Sequence, residues 1–155
     1  MRFKTLIACA ALTCSSLYAQ TIAVTDAWVR ASVPGQKASG AFMKITSKEG
    51  AKLVSVSSPV AGVAEVHEMK FEGDVMRMNA VAGGLDLPPG KTVELKPGGY
   101  HVMLMDLKTA LKKHSTVPLT LTFRDAKGSE SKVDLQVPVG LAPPVADGHE
   151  HGMKH

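Results

Sequence analysis

The sequence predicts an all-β domain, a sandwich or barrel of many short strands. Three observations carry this. Apolar and polar residues alternate in short runs from Ile22 onward. Turn signals recur between the runs, at Pro34-Gly35, Gly50, Gly73-Asp74, Pro97-Gly98-Gly99 and Gly128. Only residues 108–115 read as a helical turn, and they are few. Spacing of this kind belongs to sandwiches and barrels.

The strands follow in order. Residues 22–30 form the first, with Ile22, Val24 and Trp28 in alternation; residues 31–37 are an exposed loop. Residues 40–47 form the second, with Phe42 or Met43 inward. Leu53, Val54 and Val56 carry the third, which Ser57-Ser58-Pro59 ends. Residues 63–71 and 75–80 form a hairpin, because Gly73 supplies the positive φ that a tight turn needs. A two-residue loop there pairs Met69 with Met78 and Phe71 with Met76, and leaves His67 diagonal to Met78 on one face. Residues 83–90 read as a loop around Leu85 and Leu87, and residues 92–95 as a short strand. Residues 100–107 are the return strand; residues 119–123 and 132–137 are the last two.

The chain divides into a leader, one domain and a tail. Arg2 and Lys4 precede a short apolar run, and Leu17-Tyr18-Ala19 offers a cleavage site before Gln20. Residues 1–19 therefore read as a secretory signal peptide, too short to span a bilayer. Leu6-Ile7-Ala8-Cys9 resembles a lipid-attachment box but sits too near the terminus to follow a proper apolar region. Cleavage after Ala19 leaves 136 of the 155 residues, enough for one domain with a real core. It also removes Cys9 and Cys14, the only two cysteines, so the exported chain has neither disulfide nor thiolate. Net charge is +4, and Arg2 and Lys4 account for two of it. The remaining charges are mixed in sign, which gives no sign of nucleic-acid binding. No later apolar run is long enough to cross a bilayer. The expected address is periplasmic where the host has two membranes. Residues 20–139 form the domain, and residues 140–155 a flexible tail ending in His149, His151, Met153 and His155.

The chemistry concentrates between His67 and Met105, a stretch with two of the six histidines and five of the eight methionines. Alternation on a strand puts His67 and Met69 on one face, Met76 and Met78 on one face, and His101, Met103 and Met105 on one face. His101 and Met103 alone are more simply a strand-edge histidine beside a core methionine. With His67 and Met78 added, four soft or borderline donors converge from two segments without a cysteine. Thioethers are soft and do not titrate, so the set favours Cu(I) over Zn(II), Mg(II) and Ca(II). A blue-copper electron-transfer site needs a thiolate, so the pattern suits a carrier that surrenders copper to a thiol. Met69, Met76 and Met105 read as packing around the site, with Met69 a stand-in ligand; Met43 and Trp28 read as core, Trp28 with the alternative of covering a site. His114 reads as a solvated surface histidine. The tail has two open readings: a polar end without structure, or imidazoles gathering Cu(II), the most tightly bound divalent ion of its row. Two rivals remain. A Ser-His-Asp hydrolase lacks its Gly-x-Ser-x-Gly turn here. A β-sandwich binding module with an incidental Met-rich core would hold no metal.

Several motifs resemble the PCuAC family of periplasmic copper chaperones: DAWVRA at 26–31, PGQ at 34–36, GAFM at 40–43, HEM at 67–69, GDVMRM at 73–78 and LKPGGYHVMLM at 95–105. The resemblance runs from about Ile22 to Val137. The family's pattern is a His, ten residues, a Met, about twenty-one residues, then His-x-Met. His67 and Met78 keep the first gap, and twenty-two residues separate Met78 from His101. The resemblance implies a cupredoxin-like β-sandwich or barrel and Cu(I) held by His67, Met78, His101 and Met103. It implies delivery to a copper-accepting protein such as cytochrome c oxidase subunit II, towards its binuclear centre, often beside a thiol-bearing copper chaperone. It implies that a His/Met-rich tail binds Cu(II). A general periplasmic copper buffer would carry the same residues.

Overall fold

The computed structural model describes residues 22–144. Its ten elements are all strands: β1 (Ile22–Arg30), β2 (Ala38–Ser47), β3 (Ala51–Ser57), β4 (Ala61–Glu72), β5 (Val75–Ala80), β6 (Leu85–Leu87), β7 (Thr92–Leu95), β8 (Tyr100–Leu107), β9 (Thr116–Arg124) and β10 (Glu130–Gly140). They follow one hydrogen-bonded path, β5-β4-β8-β2-β1-β10-β9-β3-β6, with β7 on β2. The path is open, so the molecule is a cupredoxin-like sandwich and not a closed barrel. Strand β10 joins the layers: it runs antiparallel to β9 along its length and parallel to β1 at Val139 and Gly140.

Alternation explains where the core lies. Ala41, Met43, Ile45, Val66, Val102 and Leu104 point inward from one layer. Leu53, Leu119, Leu121, Phe123 and Val137 meet them from the other. Close packing of this kind supplies most of the stabilisation through apolar burial. The residues between them on β4, β8 and β2 point outward, and the chemistry-bearing side chains occur among these.

Three expectations need correction. Residues 83–90 are not only a loop: Leu85 and Leu87 are buried on β6, a three-residue edge strand paired to β3. Three residues are too few to show a period. Residues 108–115 form no helix. Their backbone groups bond across the chain instead: Leu111 N–H donates to Ser32 Oγ (2.8 Å), the Leu111 carbonyl accepts from Ser32 N–H (3.0 Å), and His114 N–H donates to the Val139 carbonyl (3.0 Å). Thirdly, Trp28 does not share a face with Val24. Between Thr25 and Trp28 the register on β2 slips by one residue, a β-bulge with Asp26 at φ 53°. Val24 lies opposite Ile45, whereas Trp28 lies opposite Phe42 on the outer face. Lys44 Nζ holds the Asp26 carboxylate at 3.1 Å.

Gly84 closes the turn into β6. Its φ is +96°, and a Cβ there would stand 2.7 Å from the Leu53 carbonyl oxygen. Gly84→Ala is expected to cost about 1–3 kcal/mol, the usual range for a forced backbone conformation. Gly83→Ala, where a Cβ meets nothing within 4 Å, should cost less. Urea unfolding of the two variants checks the order.

Candidate metal centre

The outer face of the first layer carries an open cleft of about 480 Å³. Strand β5 contributes Met76 and Met78, β4 contributes Met69, β8 contributes His101 and Met103, and β2 contributes Gly40 and Phe42. The β4–β5 register is the one that the Gly73-Asp74 loop predicts: Met69 faces Met78 and Phe71 faces Met76. Gly73 has φ +67° at the first loop position, as a tight hairpin requires.

Of the four predicted ligand residues, Met78, His101 and Met103 line the cleft. His67 stands beside them, directly opposite His101 across β4 and β8. The ring centroids are 5.9 Å apart and the His67 side chain is 13% exposed. Met103 lies opposite Glu65 on one side and Gly40 on the other. Met69 and Met76 also line the cleft, which gives them a place beyond general packing; Met105 is one step away, opposite Val63 and Ala38. Met43 is core, as expected. His149, His151, Met153 and His155 lie outside the described residues.

Each imidazole is oriented by a hydrogen bond that leaves one nitrogen free. His67 Nε2–H donates to Glu65 Oε2 at 3.0 Å. His67 Nδ1 is then buried without a hydrogen-bond partner, an arrangement that costs free energy unless a ligand meets it. His101 Nδ1–H donates to the Gly99 carbonyl at 3.2 Å, so Nε2 keeps its lone pair. Ligating histidines usually have such a partner on the second nitrogen. The sequence reading did not single out Glu65. The signal was present, since Glu65-x-His67 shares a strand face.

An aromatic wall backs the site. Trp28 and Phe42 stack at 4.7 Å, and Phe42 lies 6.4 Å from the His101 ring. Gly40 leaves space for this: a Cβ there would sit 3.0 Å from Phe42 Cζ. The Arg30 guanidinium covers the Phe42 ring at 5.4 Å. Trp28 is almost fully buried on the outer face against Phe42, and Phe42, not Trp28, lines the cleft.

Burial pushes the His101 pKa below its ordinary value, and the neighbouring His67 and Arg30 charges push the same way; the Gly99 carbonyl opposes them. A folded-state pKa below the unfolded one means that the unfolded chain takes up the proton first. The metal-free domain should therefore keep this contribution above about pH 6.5 and lose it as pH falls towards the depressed value. Urea midpoints between pH 7.5 and 5 should fall, and fall less in His101→Gln.

The residues fit a soft cation. Two imidazoles on paired strands lie at or beside a cleft lined by thioethers, and among the described residues no three His, Cys, Asp or Glu side chains gather into a harder site. A cupredoxin-like sandwich with a thioether- and imidazole-lined cleft on an outer sheet face is the class that this fold and site define. The chain belongs to the LpqE-like family, whose model, described as "Putative lipoprotein LpqE-like", matches residues 22–139. It is 34% identical over 119 residues to "Putative lipoprotein Lxx21020" of Leifsonia xyli subsp. xyli, covering 77% of this chain and 70% of that protein. Among solved structures, it resembles apo-DR1885 from Deinococcus radiodurans at 29% identity and a TM-score of 0.57, over 91% of this chain and 95% of that one. CuI-DR1885 matches at 28% and 0.55, over 81% and 80%. The apo PCuAC domain from PmoF1 matches at 26% and 0.57, over 77% and 94%.

Proposed function

We propose that this domain is an exported PCuAC-type carrier of Cu(I), with copper as its cargo. His67, Met78, His101 and Met103 hold the ion. The observation that carries the reading is the pairing of a buried, partnerless His67 Nδ1 with the His101 ring, beside a cleft lined by methionines. Solved relatives named as PCuAC domains and as CuI-DR1885 support it. Thioethers bind without losing a proton, and the imidazoles need only be neutral. With no cysteine after residue 19, the site yields its ion to a thiolate-bearing acceptor. Delivery towards the binuclear centre of cytochrome c oxidase is the role proposed for it; it performs no catalysis.

Anaerobic Cu(I) titration against a chelator tests this, with wild type, Met78→Ala and His101→Ala. Tight binding that both substitutions weaken supports the reading. Weak binding that neither changes would sink it. The tail is proposed to take Cu(II) through His149, His151, Met153 and His155. Deleting the residues after Val145 should remove a Cu(II) equivalent and spare Cu(I). The leader is proposed to be cleaved before Gln20. Mass spectrometry of the exported protein decides between that end and a lipid-modified Cys9, the form that the family description raises.

A further inference from the structure

A four-ligand site leaves two cleft thioethers over, those of Met69 and Met76. Met69 is paired directly with Met78 across β4 and β5, and Met76 is two residues along β5 on the same face. Directly paired side chains start about 5 Å apart at Cβ and diagonal ones about 7–8 Å. Methionine has three rotatable side-chain bonds, so its sulfur spans such gaps easily. All three side chains line the same cleft, whose lining also includes Pro97 and Gly98.

Packing does not account for them. Strand β5 is the sheet edge, and each of its residues is exposed. Met76 and Met78 are 43% and 44% exposed. Large apolar side chains on a free edge strand invite aggregation, and edges are usually protected by charge or proline. Two thioethers spaced by two residues on such an edge, Met78 facing Met69 and Met76 diagonal to it, make a donor set instead.

We propose that Met69, Met76 and Met78 form a second, outer soft-cation site that shares Met78 with the inner site. The proposal rests on the Cu(I) reading above for its cargo. Its donors are three neutral sulfurs, which select Cu(I) or Ag(I) and are indifferent to pH. Without imidazole it binds more weakly than the inner site. An ion moves between the two by exchanging ligands around Met78, from Met69 and Met76 to Met103 and the imidazoles. The metal stays monovalent, so no electron or proton is transferred. The outer site is where an incoming ion is first caught and where an outgoing ion is first exposed to an acceptor.

The test uses the full chain with 13C-labelled methionine methyl groups, titrated with Ag(I) as a redox-inert probe. The first equivalent should shift the Met78 and Met103 methyl signals. The second should shift Met69 and Met76, with an affinity weaker by roughly tenfold or more. Met76→Leu keeps the shape and should abolish the second set of shifts while the first equivalent still binds. In His67→Ala/His101→Ala the weak outer binding should persist after the tight binding is gone. The proposal is overturned if Met69 and Met76 never shift, or if Met76→Leu leaves the second equivalent at Met69 intact. Loss of the tight equivalent in wild type would instead overturn the inner-site reading, and the methyl signals separate the two failures. The Met153 signal reports any binding by the tail.

Discussion

Removing both imidazoles, in His67→Ala/His101→Ala, is expected to weaken Cu(I) binding by at least about two orders of magnitude. Loss of an outer partner of a ligand already costs about 10–100-fold, and here the proposed ligands themselves go. The two rings act as a pair: they are cross-strand partners with centroids 5.9 Å apart, and each has its second nitrogen occupied by a hydrogen bond. Glu65→Ala should give a graded loss within that 10–100-fold range, because it frees the His67 ring to turn and to change tautomer. Glu65→Gln should recover part of it, since the amide oxygen still accepts from Nε2–H. Competition with a Cu(I) chelator reads all three. A double variant that binds as tightly as wild type would place the ion elsewhere.

Phe42→Ala is expected to destabilise the domain by about 3–5 kcal/mol, the range for removing a buried aromatic ring. The ring is 4% exposed, stacked on Trp28, covered by Arg30 and fitted over Gly40. The loss would reach the site as well, since Phe42 backs His101 at 6.4 Å. Phe71→Ala is the control: that ring is 72% exposed, and its removal should change stability by no more than about 0.5 kcal/mol. Equilibrium urea unfolding of both variants measures the difference. Equal small losses would mean that the wall is not part of what holds the sheet.

Local patterns in the sequence carried a large part of this fold. The first strand, the short β7, the return strand and β5 fall where alternation and turn residues put them. The hairpin register was legible because a two-residue loop with glycine allows little choice. Long-range geometry was less so. That His67 faces His101 depends on the pairing of β4 with β8, segments more than thirty residues apart, and no local rule states it. Glu65 was overlooked because a strand-face glutamate has an ordinary solvated explanation. The loop at residues 108–115 looked helical because its partners, Ser32 and Val139, are distant in sequence. The strand β6 was too short to show periodicity. The bulge in β1 was hidden because one extra residue leaves no compositional mark.

That bulge has a consequence for how the domain can vary. On either side of Asp26 the first strand is read in opposite phase: even positions serve the interior before it, and odd positions after it. Trp28 thereby packs on Phe42 behind the cleft instead of in the space between the layers, while Val29 takes over the inward duty. Deleting Ala27 would remove the extra residue and let one alternation run through the strand, with the indole still on the outer face and Val29 still inward. One strand thus carries two separate inheritances: its first half answers to the space between the layers, and position 28 answers to the ring that backs the cleft.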